Sequence, residues 1–154
     1  MFRRLLLGAA AGAAGTTALH AATYLDMAVR GRPASRTPED TVEKMAGTAG
    51  IEIPGEGDRR ENRLTGLGAL SGIATGVGVG VAYGVLDMLR LRPRGPAAVL
   101  LVGGGAMAMS NATMVKYGVT DPTSWTAADW ASDVVPHAAY GMVVAATYSL
   151  GRGR

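Results

Sequence analysis

Apolar residues fall into four long runs separated by charged segments: about Leu5 to Val29, Leu64 to Leu89, Pro96 to Tyr117 and Asp133 to Leu150. Each run reaches or approaches the roughly 20 residues that a helix needs to cross a bilayer. The few charges inside the runs lie near their ends. This pattern predicts an all-α membrane protein, a four-transmembrane-helix bundle with Gly-zipper packing. The approximate helices are 5–29, 64–89, 96–117 and 133–150, with a charged loop at 30–63, in a single integral membrane domain over 1–154.

One run carries a row of glycines at every fourth position: Gly68, Gly72, Gly76, Gly80 and Gly84. In water each would cost a helix up to about 1 kcal/mol relative to alanine. In lipid the missing side chains let a second backbone approach, and dispersion then holds the pair. A step of four residues against 3.6 per turn rotates the stripe by about 40° each time, which suits a right-handed crossing. Gly8 and Gly12 in the first run and Gly103, Gly104 and Gly105 in the third are candidate matching surfaces. The row specifies close packing, either inside one bundle or between subunits.

The segments between the runs set expectations for topology. Thr37-Pro38-Glu39-Asp40 is a helix start, with Thr37 as N-cap and acids at the positive end of the dipole. Val42, Met45, Ala46 and Ala49 then share one face, which fits a short helix on the membrane surface or a helical turn in a solvated loop. Gly47 to Asn62 reads as irregular. The second loop, Arg90 to Gly95, is short and basic, whereas the third, about Gly118 to Ser132, holds Asp121, Asp129, Trp125 and Trp130 and no basic residue. Short basic loops are cytoplasmic and tryptophans anchor at the interface, so both termini are expected inside. The start Phe2-Arg3-Arg4-Leu5-Leu6-Leu7 is similar to a signal peptide. The apolar run continues past a usual signal core to Val29, and the expectation is an uncleaved first helix.

Composition narrows the chemistry. The chain has no cysteine, which excludes disulfides, Cys-ligated zinc and thiolate nucleophiles. A single Phe and an excess of Ala, Gly and Val would leave a soluble core thin. Arginine outnumbers lysine 13 to 2, as in a GC-rich bacterial genome. No basic face interleaved with aromatics suggests nucleic-acid binding. The expected partners are the lipid bilayer and a second copy or another membrane protein. No metal or cofactor is expected.

The candidate polar chemistry is a layer. With both termini inside, His20, Asn111 and His137 each fall roughly 6 Å to the outer side of the bilayer midplane. Thr23, Ser110 and Thr113 lie at similar depth. Polar groups in lipid face one another or a water-filled cavity. The layer can therefore fix helix register by hydrogen bonds. It can also form a proton or ion path using the histidines, and two histidines at one depth could ligate haem. Asp26, Asp87, Lys116 and Asp133 sit at run ends as headgroup anchors, with Asp87 and Arg90 spaced for an i,i+3 pair. Ser110 or Ser132 beside a histidine lacks any elbow or oxyanion motif, so no enzyme is expected. Two short echoes occur: Leu25-Asp26-Met27 with Leu86-Asp87-Met88, and Ala82-Tyr83-Gly84 with Ala139-Tyr140-Gly141.

Gly118-Val119-Thr120-Asp121-Pro122, then Trp130, then Ser132-Asp133 with His137 resembles the end of the YagU-type family of small bacterial inner-membrane proteins. The resemblance covers the last quarter of the chain. It implies an integral protein of the bacterial cytoplasmic membrane without an established activity, and it draws attention to Asp133 and His137 one turn apart. The expected function is a non-enzymatic membrane protein that packs with itself or a partner. The alternative is a small channel or proton-linked transporter through His20, Asn111 and His137.

Overall fold

The computed structural model describes residues 2–153. It contains five helices: α1 (Phe2–Arg30), α2 (Thr37–Thr48), α3 (Gly57–Met88), α4 (Pro96–Lys116) and α5 (Ala127–Arg152), with one 3₁₀ turn at Pro122–Ser124. No strand occurs among the described residues. Helices α1, α3 and α4 are long and apolar enough to cross a membrane. Helix α5 has the length, at 26 residues, but falls short of that apolarity. Pro136, His137, Tyr140, Thr147, Tyr148 and Ser149 dilute its aliphatic residues.

Two helices start earlier than the apolar pattern predicts. Helix α3 begins at Gly57 instead of near Leu64, and the segment expected to be irregular to Asn62 narrows accordingly. Its charged first turns are held by α2 and by the residue before it, through Arg60–Glu43 at 2.5 Å and Arg36–Glu61 at 2.8 Å. Helix α5 begins at Ala127 instead of near Asp133 because Thr126 and Asp129 form a capping box. Pro136 therefore lies inside the helix and not in its first turn, and the Ser132 carbonyl loses its helical donor.

Helix α2 forms where the sequence places it, but Thr37 is its first residue and does not cap it by a side-chain hydrogen bond. The Thr37 hydroxyl pairs with Ser35 Oγ instead. None of its residues is fully buried, and its half-buried face packs on α3, joined by the two ion pairs and by Gly68, which meets Pro38 and Glu39.

Helix α1 is central, packed along one side by α3 and along another by α5, while α4 lies on α5. The buried face of α1 is almost all small: Gly8, Ala11, Gly12, Gly15 and Thr16. Bulk comes from elsewhere. Tyr83, Tyr140, Tyr148, Leu64 and Val144 are the largest fully buried side chains. Three tyrosines in a core need partners for their hydroxyls. Tyr83 donates to the Pro93 carbonyl at 2.9 Å, Tyr140 to the Gly76 carbonyl at 2.6 Å and Tyr148 to Asp87 Oδ2 at 3.2 Å. The core is thus small residues on α1 filled by tyrosines from α3 and α5.

Helix α4 is not uniform. Leu100–Gly104 adopts π geometry, with Val102 and Gly103 buried against α5.

Candidate functional site

The glycine row does not act as one surface. Gly76, Gly80 and Gly84 face α1, where a methyl at Gly84 would lie 2.6 Å from the Arg4 carbonyl and one at Gly80 would lie 2.6 Å from the Gly12 Cα. A methyl at Gly12 would in turn lie 2.5 Å from the Gly76 carbonyl, and one at Gly8 would overlap the Gly80 carbonyl. Gly68 faces α2, and Gly72 meets nothing within 4 Å. The winding of the stripe explains the split. Each step turns about 40°, so a straight neighbour covers only part of the row. Gly103 pairs with Gly141 of α5, where a methyl on Gly141 would lie 2.6 Å from the Val99 carbonyl. Gly104 and Gly105 meet nothing and so supply no matching surface. The repeated Ala-Tyr-Gly is used in the same way twice: Tyr83 and Tyr140 are buried, while Gly84 and Gly141 let another backbone approach.

Asn111 and His137 of the expected polar layer both meet Asp133. Asn111 Nδ2 donates to Asp133 Oδ2 at 2.7 Å. His137 Nδ1 lies 3.2 Å from Asp133 Oδ1 and 2.8 Å from the Asp133 carbonyl. Both neighbours of Nδ1 are acceptors, so Nδ1 carries a proton. His137 and Asp133 side chains are only 13% and 16% exposed. The Asn111 Oδ1 is buried without a hydrogen-bond partner. Asp133, expected as an end anchor, joins the two helices. Its signal was the one-turn spacing to His137.

His20 does not join this junction. Among the described residues its one aromatic neighbour is Tyr24, at 5.9 Å between ring centroids, and no hydrogen bond ties it to Asn111 or His137. Equal depth is not shared azimuth, and depth was all that the sequence supplied. Ser132, a candidate beside a histidine, is held instead by Arg30, Asp26 and the Ala128 carbonyl. Among the described residues Thr23 and Thr113 hydroxyls return to their own helices, at Leu19 and Met109.

The Asp87 carboxylate does not pair with Arg90. It is 4% exposed and faces Arg4, Arg92 and Arg152, with Arg4 Nε at 3.3 Å and Arg92 Nε at 3.1 Å. Arg90 turns away at a left-handed φ of 62°. The detectable signal was topological. Arg4, Arg92 and Arg152 border three different runs, at the end where an antiparallel bundle gathers them.

No protein-family model, curated protein or solved structure matches this chain. The geometry of these clusters therefore stands alone in supporting a function.

Proposed function

We propose that the chain is a non-enzymatic integral protein of the bacterial cytoplasmic membrane, crossing it four times with both termini inside, and that it works by packing with a second copy or another membrane protein. The observation that carries this reading is the α1–α3 seam, where Gly8, Gly12, Gly76, Gly80 and Gly84 bring two backbones together. Such a seam needs no bulky side chains when lipid surrounds it. A fourth crossing is supported by α5 lying along α1 with Arg3 donating to the Gly151 carbonyl at 3.2 Å. The exposed half of α3 supports a partner: Leu67, Leu70 and Ile73 are exposed and Gly72 is open.

The chain has no cysteine, so single cysteines report topology cleanly. Thr123→Cys is expected to react with an impermeant maleimide from outside, and Arg94→Cys and Gly153→Cys only after lysis. Labelling of Thr123→Cys and Gly153→Cys from one side would remove the fourth crossing. The oligomeric mass of detergent-purified protein, with and without Gly72→Leu, tests self-packing. An oligomer that falls to a folded monomer places the open part of the row between subunits, whereas a wild-type monomer leaves a foreign partner.

A second reading, a small channel or proton-linked transporter, is favoured by the Asn111–Asp133–His137 junction. In that reading His20 lies off the path. Proton flux in liposomes would then depend on pH near neutrality and fall in His137→Asn. Absence of flux at every pH removes it for the isolated protein.

A further inference from the structure

We propose that the cluster of Arg4, Arg92 and Arg152 around Asp87 is a binding site for a phosphodiester or phosphate anion. Four chain segments build it: the first turn of α1, the end of α3, the loop before α4 and the last turn of α5. Among the described residues Asp87 is the one carboxylate paired with these three guanidiniums. Three positive charges against one negative leave a surplus of two.

The carboxylate is already saturated. Oδ1 faces Arg92 and Arg152, while Oδ2 faces Arg4 and the Tyr148 hydroxyl. The guanidiniums are not. Each offers about five N–H donors in a planar fork. Arg92 is 7% exposed, and its Nε makes no aligned hydrogen bond although it lies 3.1 Å from Asp87. Among the described residues its one side-chain hydrogen bond is a long one, from Nη1 to Ser149 Oγ at 3.4 Å. The group is nevertheless fixed in place. Its guanidinium carbon sits 5.7 Å from the Tyr83 ring centroid and 5.3 Å from that of Tyr148, and the Tyr83 hydroxyl holds the loop at Pro93.

Arg4 and Arg152 flank Arg92, 40% and 34% exposed. A buried, oriented guanidinium with two accessible ones beside it matches a group with one negative charge and paired oxygens. The phosphodiester of an anionic phospholipid has that chemistry, and the site lies at the helix ends, where basic pockets between spans take up such headgroups. Free phosphate shares it. The lipid source rests on the membrane reading, whereas the anion chemistry does not.

The test uses the full chain in detergent, offered equal phosphatidylglycerol and phosphatidylcholine, with retained lipid read by native mass spectrometry. The expected result is a several-fold preference for phosphatidylglycerol, cut about fivefold by Arg152→Gln. Arg63→Gln, at the other end of α3, is expected to leave it unchanged. Inorganic phosphate in a parallel titration separates the sources. Displacement of phosphatidylglycerol by millimolar phosphate assigns a soluble anion, and persistence assigns the lipid. Equal retention of both lipids with no bound phosphate overturns the site, as does an equal loss in Arg63→Gln. Phosphate adducts on a protein whose single cysteines show no crossing at all would keep the site and remove the lipid.

Discussion

The two ends of the bundle start from the same tripeptide and reach different outcomes. Leu25-Asp26-Met27 near the end of α1 and Leu86-Asp87-Met88 at the end of α3 each place an aspartate where arginines gather. Asp26 pairs with Arg30 and Arg32 from its own neighbourhood and stays 27% exposed. Asp87 draws partners from three distant segments and is 4% exposed. The difference lies in what surrounds them. At the Asp87 end the glycine seam brings α1 and α3 to backbone contact, and Tyr83 and Tyr148 close the space at 5.2 Å between centroids. At the Asp26 end Gly72 is open, α3 leans on α2, and its ion pairs are exposed. One end is a buried lock of ion pairs drawn from distant segments, and the other is held by more exposed ion pairs and by hydrogen bonds that join Arg30 and Asp26 to Ser132.

The comparison can be broken most forcefully at the seam. Gly80→Leu drives a side chain into the backbone of Gly8 and Gly12, and loss of the folded bundle is expected, seen as loss of cooperative melting by circular dichroism. Gly72→Leu, two steps along the same row, is expected to keep the melting profile of the wild-type subunit. Equal damage from both would mean that the row acts as a unit and that the ends do not differ.

The aspartates come next. Asp87→Ala leaves three arginines around an empty place, and removing one partner of a buried ion pair costs about 3–5 kcal/mol. Asp26→Ala is expected to change stability little, because exposed pairs contribute little. Chemical denaturation of both variants in one detergent ranks them, and an equal loss would sink the lock. A smaller effect lies at the Asn111–Asp133 contact. A double-mutant cycle with Asn111→Ala and Asp133→Ala is expected to give a coupling of about 0.6 kcal/mol. His137→Asn is expected to lower stability without changing ion leak if that junction is structural.

The smallest expected effect is a pH dependence at the open end. Hydrogen bonds from the Thr126 hydroxyl and backbone hold the Asp129 carboxyl below its ordinary 3.8. A depressed carboxyl stabilises the fold above the unfolded value and loses that contribution as pH falls through the folded one. The melting difference between wild type and Asp129→Asn is therefore expected at neutral pH and should vanish well below pH 3.8. A difference that persists there would remove the capping box as its cause.

Long apolar runs announced the helices, because a span is a one-dimensional property that composition alone can carry. The helix starts at Gly57 and Ala127 were missed because charged turns look like loops until α2 or a capping box holds them. The glycine row was visible, but not which neighbour each glycine meets, since that depends on where a winding stripe crosses a straight helix. Depth placed Asn111 and His137 together and wrongly added His20, because depth carries no information on rotation about the helix axis. Asp87 was read through its nearest arginine, whereas its partners are 83, 5 and 65 residues away in Arg4, Arg92 and Arg152 (87−4, 92−87, 152−87).

The π turn at Leu100–Gly104 sets the phase of everything after it in α4. A π turn closes i→i+5 instead of i→i+4, so it takes in one residue more than an α turn. Each residue turns an α-helix by about 100°. Asn111 reaches Asp133 from the far side of that turn, while Val102 and Gly103 within it remain against α5. The extra residue works as a rotary offset: it lets one helix present a flat, small surface to α5 at one level and a hydrogen-bonding amide to the same helix at another. A single deletion at Gly104 would close the π turn into an α turn and keep the amide in phase with its carboxylate, whereas a single deletion in the α turns that follow would swing the amide by about 100°.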